Sequence, residues 1–408
     1  MLLMLLMLLM LLFNIYVTEQ CFCLFRLFVI TLLPGTLGCN VGRCLMGWGV
    51  RNITFVDNGK VSYSNPVRQS LFRFEDCADG GKPKAKAAAE ELKRIFPDVN
   101  SQGVTLNIHM PGHTVEIKHQ ATVQQDVATL EELIRTHDVV YMLTDTRESR
   151  WLPTVLAAKH DKIVINCALG FDSFLVMRHG ARELEEDEGT GRTGGSEGSE
   201  GSEGSEGKAG NEGKAGNEED GTKQQSTANV ASAASASSAA EATAGRRLGC
   251  YFCQDIVAPG DSTRDRTLDQ QCTVTRPGLA FIASALSVEL MVGLLHHPLR
   301  HRAPADESKP VFEQCKQRLG LLPHQIRGYL THYQNIVTQG PAFAQCTACS
   351  TVVRKEYEQK GFSFLHHVFN DSGSYLETLS GITELNKGAE QYDLDDFCMS
   401  DDEDEGLM

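Results

Sequence analysis

Two pairs of cysteines have the spacing that structural metal sites use. Cys250 and Cys253 are separated by two residues, and so are Cys346 and Cys349. Four thiolates suit tetrahedral Zn²⁺, and a site closed by four sulfurs leaves no coordination position for a substrate. Such a site would stabilise the protein by joining two segments that lie far apart in sequence. The alternative interpretation is two unrelated pairs of buried or redox-active thiols.

A further cysteine, Cys272, lies in a polar and charged segment that suits a nucleophile. Pro277 favours the first turn of a helix, so Cys272 would lie just before a helix N-terminus, with Arg276 close by. The helix dipole and a neighbouring cation both favour the thiolate over the thiol. The sequence therefore makes Cys272 a candidate nucleophile, with an incidental cysteine as the alternative.

Two glycines and a carboxylate match part of a nucleotide-binding fingerprint. Gly35 and Gly38 occupy the last two glycine positions of a G-x-G-x-x-G pattern before a predicted helix, whereas Leu33 stands at the first. Such glycines let the backbone approach phosphates at a helix N-terminus. Asp57 follows a strand, 19 residues after Gly38, which is the spacing at which a carboxylate reaches a ribose hydroxyl. These features alone do not distinguish a dinucleotide from ATP.

Three further charged residues favour ATP chemistry. Arg68 and Lys84 are placed to neutralise phosphate charge, and Asp145 follows a predicted strand where it could hold Mg²⁺. Because the carboxyl ends of parallel strands converge on one crevice, these residues are expected to meet there. A dinucleotide-dependent enzyme that transfers hydride does not need these three charged residues.

The elements that must position these residues alternate between strands and helices, which predicts an α/β fold. We expect a Rossmann-like, mostly parallel sheet flanked by helices, with a zinc-clipped C-terminal part and a disordered internal linker. Strands are predicted at Asn52–Val56, Val139–Leu143 and Ile163–Ala168, and helices at Cys39–Trp48, Lys84–Ile95 and Gln124–Thr136.

Composition divides the chain into five parts. Glu-Gly-Ser repeats and an Ala-Ser tract without apolar periodicity indicate a flexible segment in the middle of the chain. The expected parts are an apolar start at 1–33, an ATP-binding adenylation domain at 34–180, a low-complexity linker at 181–247, a catalytic-cysteine and zinc-binding part at 248–385 and an acidic tail at 386–408.

Charge and cysteine content exclude some classes of protein. The chain has 408 residues, a net charge of −15 and 13 cysteines. Segment 183–220 has 13 acidic and 3 basic side chains, and segment 390–408 has 9 acidic and none basic. The remainder is mildly basic without a concentrated patch, which argues against nucleic-acid binding. The chain is too long for a secreted disulfide scaffold, so reduced thiols are expected.

Two apolar segments resemble membrane spans, but neither is interpreted as one. Residues 1–33 begin with a Met-Leu-Leu repeat without a preceding basic residue or a clean cleavage site, which favours a mispredicted amino terminus over a signal sequence or anchor. This start is expected to replace the first strand of the fold. Residues 278–295 are largely apolar, but they include Glu289 and are expected to form a buried core helix.

Taken together, these residues resemble the catalytic half of the autophagy ubiquitin-like-modifier-activating enzymes, in the wider ThiF/MoeB-type adenylating superfamily. The resemblance runs from about Gly35 to Gly180 and resumes at Leu248. Long runs carry it: Gly-Thr-Leu-Gly-Cys-Asn-Val at 35–41, Met-Gly-Trp-Gly-Val at 46–50, Tyr-Ser-Asn-Pro-Val-Arg-Gln at 63–69, Asp-Thr-Arg-Glu-Ser-Arg-Trp-Leu-Pro at 145–153, Gly-Cys-Tyr-Phe-Cys at 249–253 and the segment 258–274 that ends Asp-Gln-Gln-Cys-Thr-Val.

The resemblance implies activation of a ubiquitin-like autophagy modifier in two steps. The modifier's C-terminal carboxylate would be adenylated with Mg·ATP, and Cys272 would then capture the acyl group as a thioester and pass it to a conjugating enzyme. The resemblance assigns Asp57 to the ribose, Arg68 and Lys84 to phosphates, Asp145 to Mg²⁺ and the four paired cysteines to zinc. It also implies a homodimer and a cytoplasmic location with recruitment to the pre-autophagosomal structure.

Two features depart from the family pattern. The large amino-terminal domain that recruits conjugating enzymes is not part of this sequence, and Leu33 replaces the first fingerprint glycine. A dinucleotide-dependent oxidoreductase with structural zinc and an inactive dimerising scaffold are therefore kept as alternatives.

Overall fold

The computed structural model describes residues 24–181, 247–262, 274–306 and 319–390. Cys272, nearly all of the predicted linker and the acidic segment from residue 391 onward lie outside the described residues. In the described part, eight strands form one sheet in the order β3-β2-β1-β4-β5-β6-β7-β8. They are β1 (Phe28–Leu32), β2 (Asn52–Val56), β3 (Asn100–Val104), β4 (Val139–Met142), β5 (Ile163–Leu169), β6 (Ser173–Arg178), β7 (Gln325–Tyr329) and β8 (Gln334–Thr338).

Helices connect the first strands and cover the sheet. Among the described residues they are α1 (Thr36–Gly47), α2 (Lys84–Ile95), α3 (Gln120–Thr136), α4 (Trp151–Lys159), α5 (Pro277–His296), α6 (Thr351–Lys360), α7 (Phe362–Asn370), α8 (Ser374–Ser380) and α9 (Ile382–Glu390). Alternate strand residues point to opposite faces, so Val29 and Val139 enter one core while Ile30 and Val140 enter the other. Both faces of the central strands β1 and β4 are therefore buried, as their continuous apolar sequences require.

The expected α/β fold with helices on a Rossmann-like sheet is confirmed. Strands β1 to β5 pair in parallel, whereas β5 to β8 continue as antiparallel neighbours. The predicted bounds of β2 and α2 agree with the structure, and those of β4 and β5 differ by one residue at the carboxyl end. Helices α1 and α3 begin three and four residues earlier than predicted.

The expectation that the Leu-rich start replaces the first strand is wrong. Strand β1 pairs with β2 on one side and with β4 on the other, so it lies in the middle of the parallel part. Val29, Ile30 and Leu32 are fully buried, and branched apolar residues of this kind favour a central strand. The folded part therefore begins before residue 34, where the sequence analysis placed its boundary.

The apolar segment expected to form a core helix is α5. Within the described residues, α5 alone is long and apolar enough to cross a membrane, and 61% of its most apolar window is buried inside the protein. It packs on α1 and on strands β5 and β6. Pro277 is its first residue, as predicted. The helix buries eleven residues, among them Leu279, Met291 and Gly293.

Candidate functional site

The turn between β1 and α1 forms the floor of the candidate nucleotide crevice. It lies where the sheet order reverses between β1 and β4, which is the position at which open α/β sheets bind ligands. Gly35 is the N-cap residue of α1. A Cβ atom at Gly38 would lie 2.5 Å from the carbonyl oxygen of Leu33, so only glycine lets the helix approach the strand this closely. Both predicted glycines thus stand at the turn.

The residue at the first fingerprint position adopts the backbone conformation of a glycine. Leu33 has a φ of 71°, in the left-handed region that costs a side-chain-bearing residue about 1–2 kcal/mol. The amide of Gly35 donates to the carbonyl oxygen of Leu33 at 2.8 Å, and the amide of Leu33 donates to the carbonyl of Val56. These bonds hold the turn in place although the glycine is missing.

Asp57 lies at the end of β2 with one carboxylate oxygen unpaired. Its Oδ1 atom accepts a hydrogen bond from the amide of Gly59 at 2.6 Å. Its Oδ2 atom is buried and has no hydrogen-bond partner in the described part of the chain. Burial raises the pKa of Asp57, and the Gly59 amide and the ammonium of Lys84 partly offset that effect. An unpaired oxygen of this kind fits the hydroxyl donors of a ribose.

The charged residues predicted from the sequence surround the same crevice. Arg68 reaches the N-terminus of α1, where its Nη1 atom donates to Thr36 Oγ1 at 2.7 Å. Lys84 begins α2, and its charge partly offsets the desolvation that raises the pKa values of Asp57 and Asp145.

Asp145 follows β4 and is exposed in the open crevice. Desolvation by the surrounding protein nevertheless raises its pKa, against the opposing charges of Arg150, Lys84 and Arg68. The structure therefore brings the two glycines, two carboxylates and two cations together, as expected.

A buried arginine that the sequence analysis did not identify supports this crevice. Arg150 is 3% exposed and donates to the side chain of Asn166 and to the carbonyl oxygen of Thr144. The Thr144 hydroxyl and the Asn166 amide nitrogen are buried without hydrogen-bond partners in the described residues. Arginine is mostly a surface residue, so its sequence position gave no sign of burial. Its contacts fix the chain on both sides of Asp145.

The four paired cysteines converge as predicted. Their sulfur atoms all lie within 4.8 Å of one another. Cys250 and Cys346 are 3.6 Å apart between sulfurs, and Cys253 and Cys349 are 3.4 Å apart. Sulfur atoms that share a tetrahedral Zn²⁺ at ~2.3 Å are separated by roughly 3.8 Å. All four cysteines are free thiols, so a disulfide does not explain their proximity.

The environment of these sulfurs also fits a bound cation. Amides of Phe252 and Cys349 donate to the sulfurs of Cys250 and Cys346 at 3.3 Å and 3.4 Å, which stabilises thiolates. Burial raises the pKa of Cys250, whereas hydrogen bonds from neighbouring thiols lower the pKa of Cys253. A divalent metal would hold all four as thiolates. The residues present therefore fit structural zinc.

Cys272 lies outside the described residues, but the chain that follows it is fixed. The Thr275 hydroxyl donates to the carbonyl oxygen of Gly170 at 2.9 Å, and the Arg276 amide donates to that of Phe171 at 3.0 Å. These bonds anchor the start of α5 to the turn between β5 and β6. The role of Cys272 as a nucleophile stays a prediction.

Comparison with known proteins decides the family. The model of the ThiF family matches residues 26–318. The chain belongs to the ThiF family.

Individual relatives of this chain are named as ubiquitin-like modifier-activating enzymes. The chain is 53% identical over 376 residues to the ubiquitin-like modifier-activating enzyme ATG7 of Gallus gallus, covering 92% of this chain and 48% of that protein. The ATG7 protein of Homo sapiens is 52% identical over 92% of this chain and 49% of its own length. That of Dictyostelium discoideum is 44% identical over 87% and 44%. This ThiF-family chain thus spans about half the length of the relatives it matches.

Proposed function

We propose that this chain activates a ubiquitin-like autophagy modifier by ATP-dependent adenylation of its C-terminal glycine. The observation that carries the proposal is the buried, unpaired Oδ2 atom of Asp57, at the crevice where Arg68, Lys84 and Asp145 also lie in a ThiF-family sheet. The relatives named as modifier-activating enzymes supply the substrate class.

Each charged residue has a separate task in the proposed first step. Asp57 accepts a hydrogen bond from the ribose, and Arg68 and Lys84 neutralise the phosphates. The exposed carboxylate of Asp145 would hold Mg²⁺, which would neutralise phosphate charge. When bound, Mg·ATP supplies an electrophilic α-phosphate. The modifier's carboxylate attacks that phosphorus, an acyl-adenylate forms and pyrophosphate leaves.

The proposed second step transfers the acyl group to sulfur. A carboxylate is a poor electrophile at neutral pH, whereas the mixed anhydride of the adenylate has a good leaving group. The Cys272 thiolate attacks the acyl carbon, a thioester forms and AMP leaves. A conjugating enzyme's cysteine then takes the acyl group. The four cysteines would hold Zn²⁺ in a structural role, since four sulfur ligands would leave no coordination position for a substrate.

The surface of α5 supports the proposal of a homodimer. Phe281 and Ile282 are 55% and 39% exposed on a helix that buries eleven of its 20 residues. Adjacent exposed apolar side chains of this kind mark an interaction surface. Action on autophagy modifiers also implies a cytoplasmic location with recruitment to the pre-autophagosomal structure.

Exchange of labelled pyrophosphate into ATP tests the proposal without involving Cys272. We expect exchange that depends on a modifier with its C-terminal glycine exposed, and that is lost in Asp145→Asn but retained in Cys272→Ser. Exchange without any modifier, or none with a panel of modifiers, would contradict an adenylating enzyme.

A non-catalytic scaffold is the second candidate, and the side chain of Leu33 is the observation that favours it. Leu33 occupies the position at which a glycine would leave the turn open to phosphates. Binding of the modifier with no adenylate formed would select the scaffold. Restored exchange in Leu33→Gly would show that this side chain alone blocks the reaction.

A further inference from the structure

Three metal-ligating side chains from separate segments converge at a place that the nucleotide residues and the four cysteines do not use. His113 lies in the loop between β3 and α3, Glu148 follows β4, and Asp261 lies in the segment after the first cysteine pair. Each offers one ligand atom, and these atoms all lie within 4.8 Å of one another. One imidazole and two carboxylates are a common ligand set for divalent transition metals.

The distance between two of these groups suits a shared metal better than a direct contact. His113 Nε2 lies 3.6 Å from Asp261 Oδ1, which is longer than an ordinary hydrogen bond. Two ligand atoms bound to one metal at ~2.1 Å are separated by roughly 3.0–3.4 Å. The Nε2 atom of His113 is buried, and no described residue forms a hydrogen bond with it. This nitrogen therefore accepts or donates no hydrogen bond among the described residues and is placed to act as a ligand.

The surrounding contacts hold the three groups in position. Glu148 is 1% exposed, and its Oε1 atom accepts a hydrogen bond from Ser262 Oγ at 2.7 Å. A Cβ atom at Gly112, whose φ is 78°, would lie 2.6 Å from the amide nitrogen of Asp261. The two loops thus pack backbone against backbone, and the Ser262 hydroxyl orients the Glu148 carboxylate.

Charge also favours a cation at this position. Two carboxylates approach one another here, and one of them is buried, so their negative charges favour a cation beside them. Arg147 is the neighbouring cation in sequence, but its Nε atom donates to Asp255 Oδ2 at 2.8 Å and its charge is thereby compensated.

Two cavities give access to the cluster. One of about 510 Å³ is lined by His113, and one of about 380 Å³ is lined by Glu148 and Asp261. A cation held by three protein ligands would keep coordination positions open to these cavities.

We propose that His113, Glu148 and Asp261 form a binding site for one divalent transition-metal cation of the Mn²⁺ or Zn²⁺ class. The imidazole ligand argues against Ca²⁺ and Mg²⁺, which prefer oxygen atoms alone. The metal would tie the loop after β3 and the segment after β4 to the loop that contains Asp261. In sequence, Asp261 lies 11 residues before Cys272, so the site fixes the point from which the proposed nucleophile's segment departs.

Pulsed electron paramagnetic resonance with Mn²⁺ alone tests this site in the whole 408-residue chain, given beforehand one equivalent of Zn²⁺ for the four cysteines and no nucleotide. Mn²⁺ avoids thiolates, so the four cysteines do not compete for it. We expect one Mn²⁺ per chain with magnetic coupling to an imidazole ¹⁴N nucleus. Wild-type protein without a ¹⁴N-coupled Mn²⁺ would overturn the proposal and would leave the proposed adenylation unaffected.

Matched variants identify the ligand. His113→Ala should abolish the ¹⁴N coupling. Ser262→Ala, which removes only the hydroxyl that donates to Glu148, should weaken Mn²⁺ binding by about 10-fold or more. His119→Ala, a change of an exposed histidine near the same loop, should leave affinity and coupling unchanged. Coupling that persists in a folded His113→Ala protein would refute the site.

Discussion

At the scale of the residue, Asp57 shows a conflict between stability and binding. Its carboxylate is buried with one oxygen unpaired, and burial raises its pKa. A raised pKa in the folded state means that the ionised form opposes folding. The penalty grows as the pH rises from the unfolded-state value through the folded-state value, and it is fully present at higher pH. Such a group is retained for a purpose other than stability.

We predict that Asp57→Asn separates these two effects. Loss of a charged hydrogen bond worth ~1.5–3 kcal/mol should weaken ATP binding by about 10-fold to 100-fold. Stability at neutral pH should stay the same or increase, because the variant removes an ionised buried group. Isothermal titration with a non-hydrolysable ATP analogue and urea unfolding measure the two quantities. Asp98→Asn, at an exposed position, is the control and should change neither; a large loss of stability in Asp57→Asn would contradict this interpretation.

The backbone conformation of Leu33 could not be predicted from the sequence. The pattern identified the missing glycine, but it could not reveal that Leu33 keeps a φ of 71° because hydrogen bonds on both sides hold the turn. The burial of Arg150 and the convergence of His113 with Glu148 and Asp261 were likewise not predictable. They depend on contacts between segments far apart in sequence, which local patterns do not encode.

At the scale of the element, the approach of α1 to β1 depends on the absence of a side chain at Gly38. We predict that Gly38→Ala destabilises the protein by about 1–3 kcal/mol, because a Cβ atom would overlap the carbonyl of Leu33. Gly47→Ala at the other end of the same helix meets no atom within 4 Å and should stabilise by ~0.5–1 kcal/mol. Urea unfolding of both variants measures the difference, and equal effects would contradict the packing argument.

The four cysteines join two segments, so their metal should be essential to this part of the fold. We predict that wild-type protein contains one Zn²⁺ per chain by elemental analysis and that Cys346→Ser loses it. The free energy of unfolding should fall by at least about 3 kcal/mol, because metal binding at such sites is coupled to folding. Cys44→Ser, outside the cluster, should keep the zinc. Zinc retained in Cys346→Ser would show that the cysteines are not a four-sulfur site.

The elements themselves were largely predictable from local pattern. Strands such as Asn52–Val56 and helices such as Lys84–Ile95 have the expected bounds because apolar periodicity and flanking residues define them. Strand β1 was not predicted, because it directly follows other apolar residues and was assigned with them to the apolar start at 1–33. Strands β7 and β8 were not predicted, since their residues are partly exposed and lack a continuous apolar pattern.

At the scale of the whole molecule, we predict self-association through α5. Phe281→Asp should raise the dissociation constant of the dimer by at least about 10-fold, since it places a charge in an apolar contact. Sedimentation velocity measures the shift toward monomer. Ile117→Asp, at a position that is 88% exposed elsewhere on the chain, should leave the distribution unchanged. A wild-type protein that is monomeric at high concentration would contradict the proposed homodimer.

The central claim is that nucleotide chemistry in the crevice ends in a covalent bond to Cys272. Intact-mass spectrometry of the chain incubated with Mg·ATP and a ubiquitin-like autophagy modifier measures this most directly. The account predicts a one-to-one adduct that requires ATP and is removed by a thiol reductant, and that in Cys272→Ser is either absent or replaced by an ester that resists the reductant. No adduct with any modifier of the class, or an adduct of unchanged yield and reductant lability in Cys272→Ser, would contradict it.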